Sequence, residues 1–328
     1  MASAPSMTTR ERQEATSRPG QNTAEFMERR GRRIVETTGC LWHSVERRFF
    51  MSVPYHLPQN PDPHEISRLL SSERAIGVRF LAVHRHGLPS GLYVCRRKEY
   101  DLTSIHQKQR SVVRRGLEKF TIRPVEDSEL LCQGLQLNRD TMARQGRYDP
   151  EFGEEARWRR LVRAVRASRG VAAYGAFSEG RLAAYVIACR DGGWLHLMHQ
   201  MSRTDDLPHS PNHALTFTVT KWAAEDPTLE ASSYGVVSLV STEGLHLYKV
   251  RFGYEIVERT CCFQFHPALA PLLRSRPLAG VVHMLRRVRP QDQRLEKVES
   301  VLNGAILGAR PVPADRVETL AHPGEQKP

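Results

Sequence analysis

The amino-acid sequence predicts an α/β (α+β) fold in which a mixed, mostly antiparallel sheet is flanked by helices. Three observations in the second half support this. Residues 150–168 repeat apolar side chains at the spacing of an amphipathic helix. Apolar segments within 171–201 are joined by short, turn-rich connections, which is typical of an antiparallel meander. Ser210 and Pro211 mark the start of another helix, because serine is a common N-cap and proline suits the first helical position.

The same periodicities predict the remaining elements of the second half. The predicted helices cover residues 127–144, 243–251, 278–289 and 291–308, and the predicted strands cover 234–240 and 254–265. A helical crossover favours parallel placement of the strands that it joins. We therefore expect the 234–240 strand to lie beside a meander strand and parallel to it.

The first half of the ordered chain reads as strand-rich and partly irregular. Strands are predicted at 75–84 and 91–95, and helices at 64–70 and 103–120. Both ends are polar or rich in proline and are expected to lack structure. The predicted segments are an unstructured tail, the strand-rich half, the second half, a helical end and a second tail, at residues 1–24, 25–125, 126–268, 269–309 and 310–328.

Composition narrows the class of protein. The chain has 328 residues and no apolar window of the roughly 20 residues that a membrane-spanning helix needs. Its first residues are polar and lack the apolar segment of a secretory signal, so the sequence predicts a cytoplasmic protein without an integral membrane segment. The six cysteines include no CxxC pair, which favours buried thiols over redox or metal chemistry.

The formal net charge is +12, and nearly all of the positive charge is arginine. Two interpretations remain open. Arginine forks match phosphate geometry, so this surface could hold a nucleic acid or another phosphate-bearing partner. The same arginines could instead be solvated charges without a partner. No recognised nucleic-acid-binding motif accompanies them, so basicity alone does not predict such a function.

Three segments carry a resemblance to a known family. Residues 244–254 hold a short helix with an aromatic-lysine pair before Phe-Gly, residues 100–115 hold a lysine-x-arginine followed by further basic residues, and residues 180–185 hold a small turn before an apolar strand. In this order they resemble the Fem-like branch of the GNAT superfamily. The resemblance covers residues 100–265. Residues 25–100 correspond more loosely to the degenerate GNAT-like half that precedes the transferase domain in that family.

The resemblance implies an N-acyltransferase that moves an acyl or aminoacyl group onto an amine. The donor would be acyl-CoA, such as acetyl-CoA, or an aminoacyl-tRNA, and the acceptor a small-molecule amine or a cell-envelope precursor. It also implies a cleft where the 234–240 strand diverges from the meander. One departure bears on the donor. The glycine-rich turn that binds CoA pyrophosphate in many superfamily members is replaced by residues 204–213, which contain no glycine.

Lys249 and Tyr248 are the candidate catalytic residues. A lysine on a short helix that faces the sheet can stabilise the oxyanion of an acyl transfer or hold a substrate phosphate. Lysine is scarce in this arginine-rich chain, which favours a specific role for Lys249. The alternatives are a solvated lysine and, for Tyr248, a core tyrosine that does no chemistry.

Two other groups are candidate binding residues. Ser210, Asn212 and His213 stand at a predicted helix start, where free N–H groups and the helix dipole favour an anion, so they are expected to hold the donor's phosphate. Lys108 and Arg110 are expected to bind a phosphate or carboxylate of the acceptor. The alternatives are an ordinary capped helix and a solvated helix face.

No metal site is predicted. His196 and His199 are three residues apart in a strand, so their side chains are expected on opposite faces of the sheet. Two rival functions remain open. The fold could survive as a catalytically inactive binding or scaffold protein. Alternatively, the apolar stripe and arginines of residues 278–289 could bind a membrane surface, although packing of this stripe onto the sheet is the expected use. The oligomeric state is not predicted.

Overall fold

The computed structural model describes residues 18–46, 48–239, 243–289 and 292–308. Its strands are β1 (Ile34–Thr37), β2 (Cys40–Glu46), β3 (Phe49–Val53), β4 (Gly77–Ala82), β5 (Leu88–Cys95), β6 (Thr121–Pro124), β7 (Val171–Ser178), β8 (Arg181–Asp191), β9 (Trp194–Ser202), β10 (Ala231–Val236) and β11 (Glu255–Phe265). Its helices are α1 (Gln21–Arg29), α2 (Pro63–Ser72), α3 (Gln107–Lys119), α4 (Asp127–Arg144), α5 (Pro150–Gly153), α6 (Glu155–Ala167), α7 (Pro211–Glu225), α8 (Glu243–Arg251), α9 (Ala270–Leu273), α10 (Arg276–Val288) and α11 (Gln293–Gly308).

The chain divides into two compact units. Unit 1 holds the described residues of Met1–Ile34, Leu92–Gly235 and Glu243–Val257. Unit 2 holds those of Val35–Gly91, Val236–Thr242 and Glu258–Pro328. The domain boundaries that the sequence predicts, near residues 125 and 268, stay a prediction.

Unit 1 contains the predicted meander of β7, β8 and β9, to which the structure adds β6, a strand that the sequence did not predict. Strands β6, β7, β8 and β9 pair antiparallel in sequence order. The next strand, β10, pairs with β9 in parallel, from Ala231 opposite Trp194 to Ser233 opposite His196. The predicted parallel placement of this strand is therefore confirmed. The β9–β10 register ends at Ser233, whereas β9 continues to Ser202.

Strand β8 is central in this sheet and is buried on both faces, as its continuous apolar sequence requires. One face packs against α4 and α6, with Trp158 and Ile187 in a shared core. The other face packs against α7, with Val186 and Leu215 in a second core. The predicted α/β architecture, a mixed and mostly antiparallel sheet flanked by helices, is confirmed.

Unit 2 contains strands in the order β1-β2-β3-β4-β11. Strand β3 is antiparallel to β2 and parallel to β4, and β4 is antiparallel to β11. Trp42 and Phe80 meet edge to face in its core, with ring centroids 6.1 Å apart. The C-terminal helices α9, α10 and α11 also belong to this unit.

Several predicted boundaries are wrong. The chain is helical from Gln21, not unstructured up to residue 24, because Gly20 N and Thr23 N donate to the buried Asp191 carboxylate and anchor α1. The 150–168 helix breaks at Glu154, whose backbone is extended. The strand predicted at 234–240 is β10 and ends at Val236. Residues 1–17 and 309–328 lie outside the described part of the chain.

No helix in the described residues is long and apolar enough to cross a membrane.

Candidate active site

Helix α8 has an unusual distribution of side chains. Its only buried residue is Lys249, which is 7% exposed, whereas Leu245 is 46% exposed and Val250 is 43% exposed. A helix that merely packed onto the protein would bury its apolar residues and leave the lysine in water. The structure thus buries Lys249 against this rule, and such local exceptions concentrate at functional sites.

Two tyrosine rings surround the Lys249 ammonium group. Its Nζ lies 4.3 Å from the ring centroid of Tyr93 and 5.0 Å from that of Tyr234, both within range of a cation–π contact. Among the described residues, no carboxylate forms an ion pair with Lys249. Burial lowers the pKa of Lys249 to about 8. The pKa of this buried cation therefore lies close to physiological pH.

A series of hydrogen bonds begins at Tyr234, beside Lys249, and passes through two residues of β9. The Tyr234 hydroxyl donates to Gln200 Oε1, and Gln200 Nε2 donates to Asn212 Oδ1 at 3.1 Å. Asn212 Nδ2 in turn donates to Ser202 Oγ at 2.9 Å. These contacts join β10, β9 and the first turn of α7, so they fix the walls of the region where β9 and β10 stop pairing.

Tyr248 lies next to this network but uses its hydroxyl to hold helices together. The hydroxyl donates to Asn212 O at 3.0 Å and lies 2.9 Å from Thr216 Oγ1. Burial raises the pKa of Tyr248 well above its ordinary value, so the phenol stays protonated. This geometry favours a positioning role for Tyr248 over proton transfer.

His213 packs its ring on Tyr248 and Phe252, with centroid distances of 5.2 Å and 5.7 Å. Burial, with a smaller contribution from the Arg115 charge, lowers the pKa of His213 to about 4. The ring is therefore neutral at pH 7. It can donate one hydrogen bond to a phosphate but cannot supply a positive charge.

The start of α7 is not capped in the way that the sequence predicts. Ser210 has a left-handed backbone with φ 65° and makes no side-chain capping bond. Its hydroxyl instead accepts from Arg115 Nη2 at 3.5 Å. A Cβ on Gly116 would lie 2.8 Å from Ser210 O, so α3 approaches α7 closely and places Arg115 beside the helix start. The arginine charge and the partial positive charge at the helix N-terminus repel each other, and both attract an anion.

The segment between β9 and α7 offers little to a pyrophosphate. Thr204 N donates to Asp140 Oδ2 at 2.6 Å, and the amides of Leu207, His209 and Ser210 donate to carbonyls within the segment. Asp206 is buried and accepts from Arg181 Nη2 at 2.6 Å. Because these amides are already bonded and a carboxylate occupies the segment, it lacks the open amide cradle of a glycine-rich phosphate loop.

The predicted acceptor-binding pair is not in contact with Lys249. Arg110 donates from Nε to Ile105 O at 3.3 Å and from Nη2 to Thr103 O at 3.1 Å. These bonds brace the loop whose His106 N donates to Arg251 O at 2.8 Å, at the end of α8. Lys108 is exposed and forms no ion pair among the described residues.

The prediction that His196 and His199 lie on opposite faces is wrong. The β8–β9 register pairs His199 with Ile187 and His196 with Cys189, and Met198 is an extra residue between the two pairs. Ile187 and Cys189 share a face, so the bulge brings both histidines to that face as well. Even so, in the part of the chain that the structure covers, no group of three histidine, cysteine or acidic side chains could hold a metal ion.

Unit 2 carries a separate open cavity of about 650 Å³. Arg85, His86 and Arg274 line it together with Phe80 and Phe263. None of the predicted site residues takes part in it, and it lies outside the unit that holds Lys249.

The sequence pointed to Lys249, Tyr248, Ser210, Asn212 and His213 as candidates, but not to their neighbours Tyr93, Tyr234, Gln200, Thr216 and Arg115. Arg115 had a signal, since it belongs to the basic segment 100–115. Tyr93 and Tyr234 carry no such signal, because aromatic residues are common in apolar strands that pack into a core.

The comparisons with known proteins identify the fold and the domain. Residues 102–236 match the family model of an acetyltransferase (GNAT) domain. Residues 102–236 are therefore similar to a GNAT domain. No curated protein matches the sequence. The matched segment includes β9, β10 and α7, and it ends before α8, the helix that carries Lys249.

Solved structures extend the likeness beyond the GNAT domain. FemX aligns with a TM-score of 0.54 at 13% identity, covering 81% of this chain and 98% of FemX. L-PGS of Bacillus licheniformis aligns with a TM-score of 0.50 at 14% identity, covering 84% and 97%. The C-terminal DUF2156 domain of an Agrobacterium fabrum protein named as a lysylphosphatidylglycerol synthetase gives 0.50 at 10%, covering 78% and 90%. At these identities the likeness shows the fold, and the predicted GNAT, Fem-like resemblance is confirmed.

Proposed function

We propose that this chain transfers an aminoacyl group from a charged tRNA to an amine acceptor, with Lys249 stabilising the transition state. The observation that carries the proposal is a lysine, 7% exposed and without an acidic partner in the described chain, held by two tyrosines beside the β9–β10 opening of a GNAT domain. A buried ammonium group in a water-poor site is suited to stabilise negative charge that develops during acyl transfer.

The proposed acyl transfer proceeds by attack of the acceptor amine on the aminoacyl ester. The acceptor amine attacks the carbonyl carbon of the aminoacyl ester, and a C–N bond forms while negative charge collects on the carbonyl oxygen. The Lys249 ammonium group stabilises that oxyanion. The C–O bond to the tRNA ribose then breaks, and the proton lost by the amine ends on the leaving ribose oxygen. Tyr93 and Tyr234 position the lysine, and Tyr248 fixes the wall formed by α7 and α8; none of them moves a proton.

Two observations favour tRNA over acyl-CoA as the donor. The segment between β9 and α7 holds the buried Asp206 and bonded amides where a pyrophosphate-binding turn would be needed. The net charge of +12 favours a polyanionic donor. The acceptor is proposed as a small-molecule amine or a cell-envelope precursor, and a cytoplasmic location stays a prediction.

The donor end of the site is proposed at the start of α7. Asn212, His213, Ser210 and Arg115 surround that helix start, so we expect the phosphate next to the aminoacyl ester to bind there. Replacing Asn212 and His213 together with alanine should weaken donor binding by about 1–2 kcal/mol, the usual loss for hydrogen bonds to a charged group. Lys221→Ala, in the last turns of the same helix, is the control and should leave affinity unchanged.

Equilibrium binding tests the proposal. The purified chain is titrated with a mixture of aminoacyl-tRNAs, with deacylated tRNA and with acetyl-CoA. We expect micromolar binding of aminoacyl-tRNA that weakens steeply with added salt, and no saturable binding of acetyl-CoA. Tight acetyl-CoA binding without tRNA binding would show that the donor is wrong. If no donor binds at high micromolar concentration, the inactive binding protein becomes the better explanation.

A further inference from the structure

Helix α10 presents an apolar stripe to solvent. Val281, Met284, Leu285 and Val288 are 50%, 62%, 50% and 74% exposed. Their spacing of three, four and seven residues places them on one face of the helix. The sequence assigned Leu278, Val281, Val282, Leu285 and Val288 to one stripe that was expected to pack onto the sheet. Of these side chains Val282 is buried, whereas Val281, Leu285 and Val288 face solvent, so the expectation is wrong for most of the stripe.

Polar contacts on the other side of α10 hold the stripe outward. Arg286 Nη1 lies 2.5 Å from Glu299 Oε2, and His283 Nδ1 lies 2.6 Å from Glu299 Oε1. Glu299 is on α11 and is itself buried. The two helices are thus fixed against each other through polar contacts, and the exposure of the apolar stripe is built into unit 2.

Basic residues border the stripe. Arg287 is exposed on the helix, Arg289 is exposed directly after the helix ends, and Arg276 is exposed at its start. Helix α10 contains no acidic residue. Just before it, Leu272 of α9 adds another exposed apolar side chain, at 60%. Among the described residues, no carboxylate pairs with Arg276, Arg287 or Arg289.

We propose that α10 binds the surface of an anionic lipid bilayer, lying in its interface with Val281, Met284, Leu285 and Val288 among the acyl chains. Arginines beside an apolar stripe and at the ends of its helix can extend to lipid phosphates while their stems stay with the apolar region. The surface potential of anionic lipid adds attraction for each cation. A second copy of the chain fits less well, because one stripe of a three-turn helix is small for a stable dimer interface and would bring like charges together.

Co-sedimentation with vesicles tests this site, using the full chain. Vesicles of phosphatidylcholine with phosphatidylglycerol should carry the protein into the pellet, whereas vesicles of phosphatidylcholine alone should carry much less. Met284→Glu with Val288→Glu should lower the bound fraction about tenfold or more, since two carboxylates would enter the apolar region. Arg287→Gln with Arg289→Gln should weaken binding to the anionic vesicles and make it less sensitive to salt.

Leu131→Glu is the matched control. Leu131 is 37% exposed on α4 of unit 1, and its replacement should leave vesicle binding unchanged. Because all the replaced side chains are exposed, each variant should keep the wild-type circular dichroism spectrum. Wild type that stays in the supernatant with anionic vesicles overturns the proposal. A wild-type dimer in sedimentation velocity that becomes a monomer in the Met284→Glu, Val288→Glu variant also overturns it, in favour of a second copy. The test does not involve donor or acceptor, so its outcome is separate from that of the proposed function.

Discussion

Two cations are buried to the same extent in unit 1, and they differ in their partners. Arg30 and Lys249 are each 7% exposed. Arg30 donates from Nε and Nη2 to the two carboxylate oxygens of Glu151, at 2.9 Å and 2.6 Å, and its Nη1 lies 3.0 Å from His199 Nε2. Among the described residues, the Lys249 ammonium group contacts the faces of two tyrosine rings and no carboxylate.

The pKa shifts show what the partner does. Burial alone would raise the pKa of Glu151, but the Arg30 hydrogen bonds and the charges of Arg30 and Arg32 outweigh it and lower the pKa to about 2. Burial lowers the pKa of Lys249 to about 8 with no charge to oppose it. The first site is a compensated structural pair. The second keeps an uncompensated charge, which costs stability and is retained where chemistry uses it.

The largest effect is expected from breaking the compensated pair. Glu151→Gln keeps the shape of the side chain but leaves Arg30 buried without an anion, so we expect the free energy of unfolding to fall by about 3 kcal/mol. Urea denaturation measures it. Glu155→Gln is the control, because Glu155 pairs with Arg159 at 59% and 64% exposure and should change stability by less than about 0.5 kcal/mol.

The same pair predicts an acid dependence. The pKa of Glu151 is depressed in the folded state, so its contribution is present above its ordinary value of 4.5 and is lost as pH falls towards about 2. The difference in the free energy of unfolding between wild type and Glu151→Gln should therefore shrink as pH falls from 4.5 towards about 2. An unchanged difference between the two proteins down to pH 2 would contradict the pairing.

Lys249→Met should have the opposite profile. Removing an uncompensated charge while keeping the aliphatic stem should leave the free energy of unfolding at pH 7 unchanged or raise it by about 1 kcal/mol. Aminoacyl transfer should fall about 100-fold or more, as when one oxyanion donor is removed, with little change in donor affinity. Lys249→Arg should also fail, because its planar fork does not fit between two tyrosine rings that enclose a compact ammonium group. A solvated lysine would instead leave both variants within about twofold of wild type.

The sequence was informative where local periodicity decides the structure. The meander of β7, β8 and β9, the helix start at Pro211 and the bounds of α8 all follow from spacing and turn residues. Strands β1 and β3 were missed because four and five residues are too few for an alternation to stand out, and the seven-residue β2 was missed because its sequence, CLWHSVE, does not alternate regularly between apolar and polar residues. Lys249 itself was identified because its motif resembles a family signature.

The surroundings of Lys249 could not be read in the same way. The extra residue at Met198 reverses the alternation of β9, so a regular strand assigns His199 and Gln200 to the wrong faces relative to His196. That bulge is defined by pairing with β8, not by any local residue type. The approach of Tyr93 and Tyr234 to one ammonium group likewise depends on two strands that are far apart in sequence.

The smallest effects are expected in the pH dependence of activity and stability, which the pKa of Lys249 sets. The folded pKa of Lys249, about 8, is below its ordinary value of 10.5. If the ammonium form stabilises the oxyanion, activity should fall as pH rises through about 8. Stability should rise with pH between about 8 and 10.5 relative to Lys249→Met, because the unfolded lysine binds the proton that the folded one has lost.

Replacing Tyr234 then separates the ring from its hydroxyl. Tyr234→Phe keeps the ring over Nζ and loses the bond to Gln200, so stability should fall by about 1 kcal/mol while the falling limb of the pH profile stays in place. Tyr234→Leu removes the ring as well. Losing a cation–π contact worth about 0.5–2 kcal/mol destabilises the ammonium form, so the limb should move to lower pH by roughly 0.4–1.5 units. If the fall in activity moves to higher pH in Tyr234→Leu, the ring acts mainly by keeping water away from Lys249. If the fall occurs at the same pH in wild type, Tyr234→Phe and Tyr234→Leu, then Tyr234 does not act on Lys249.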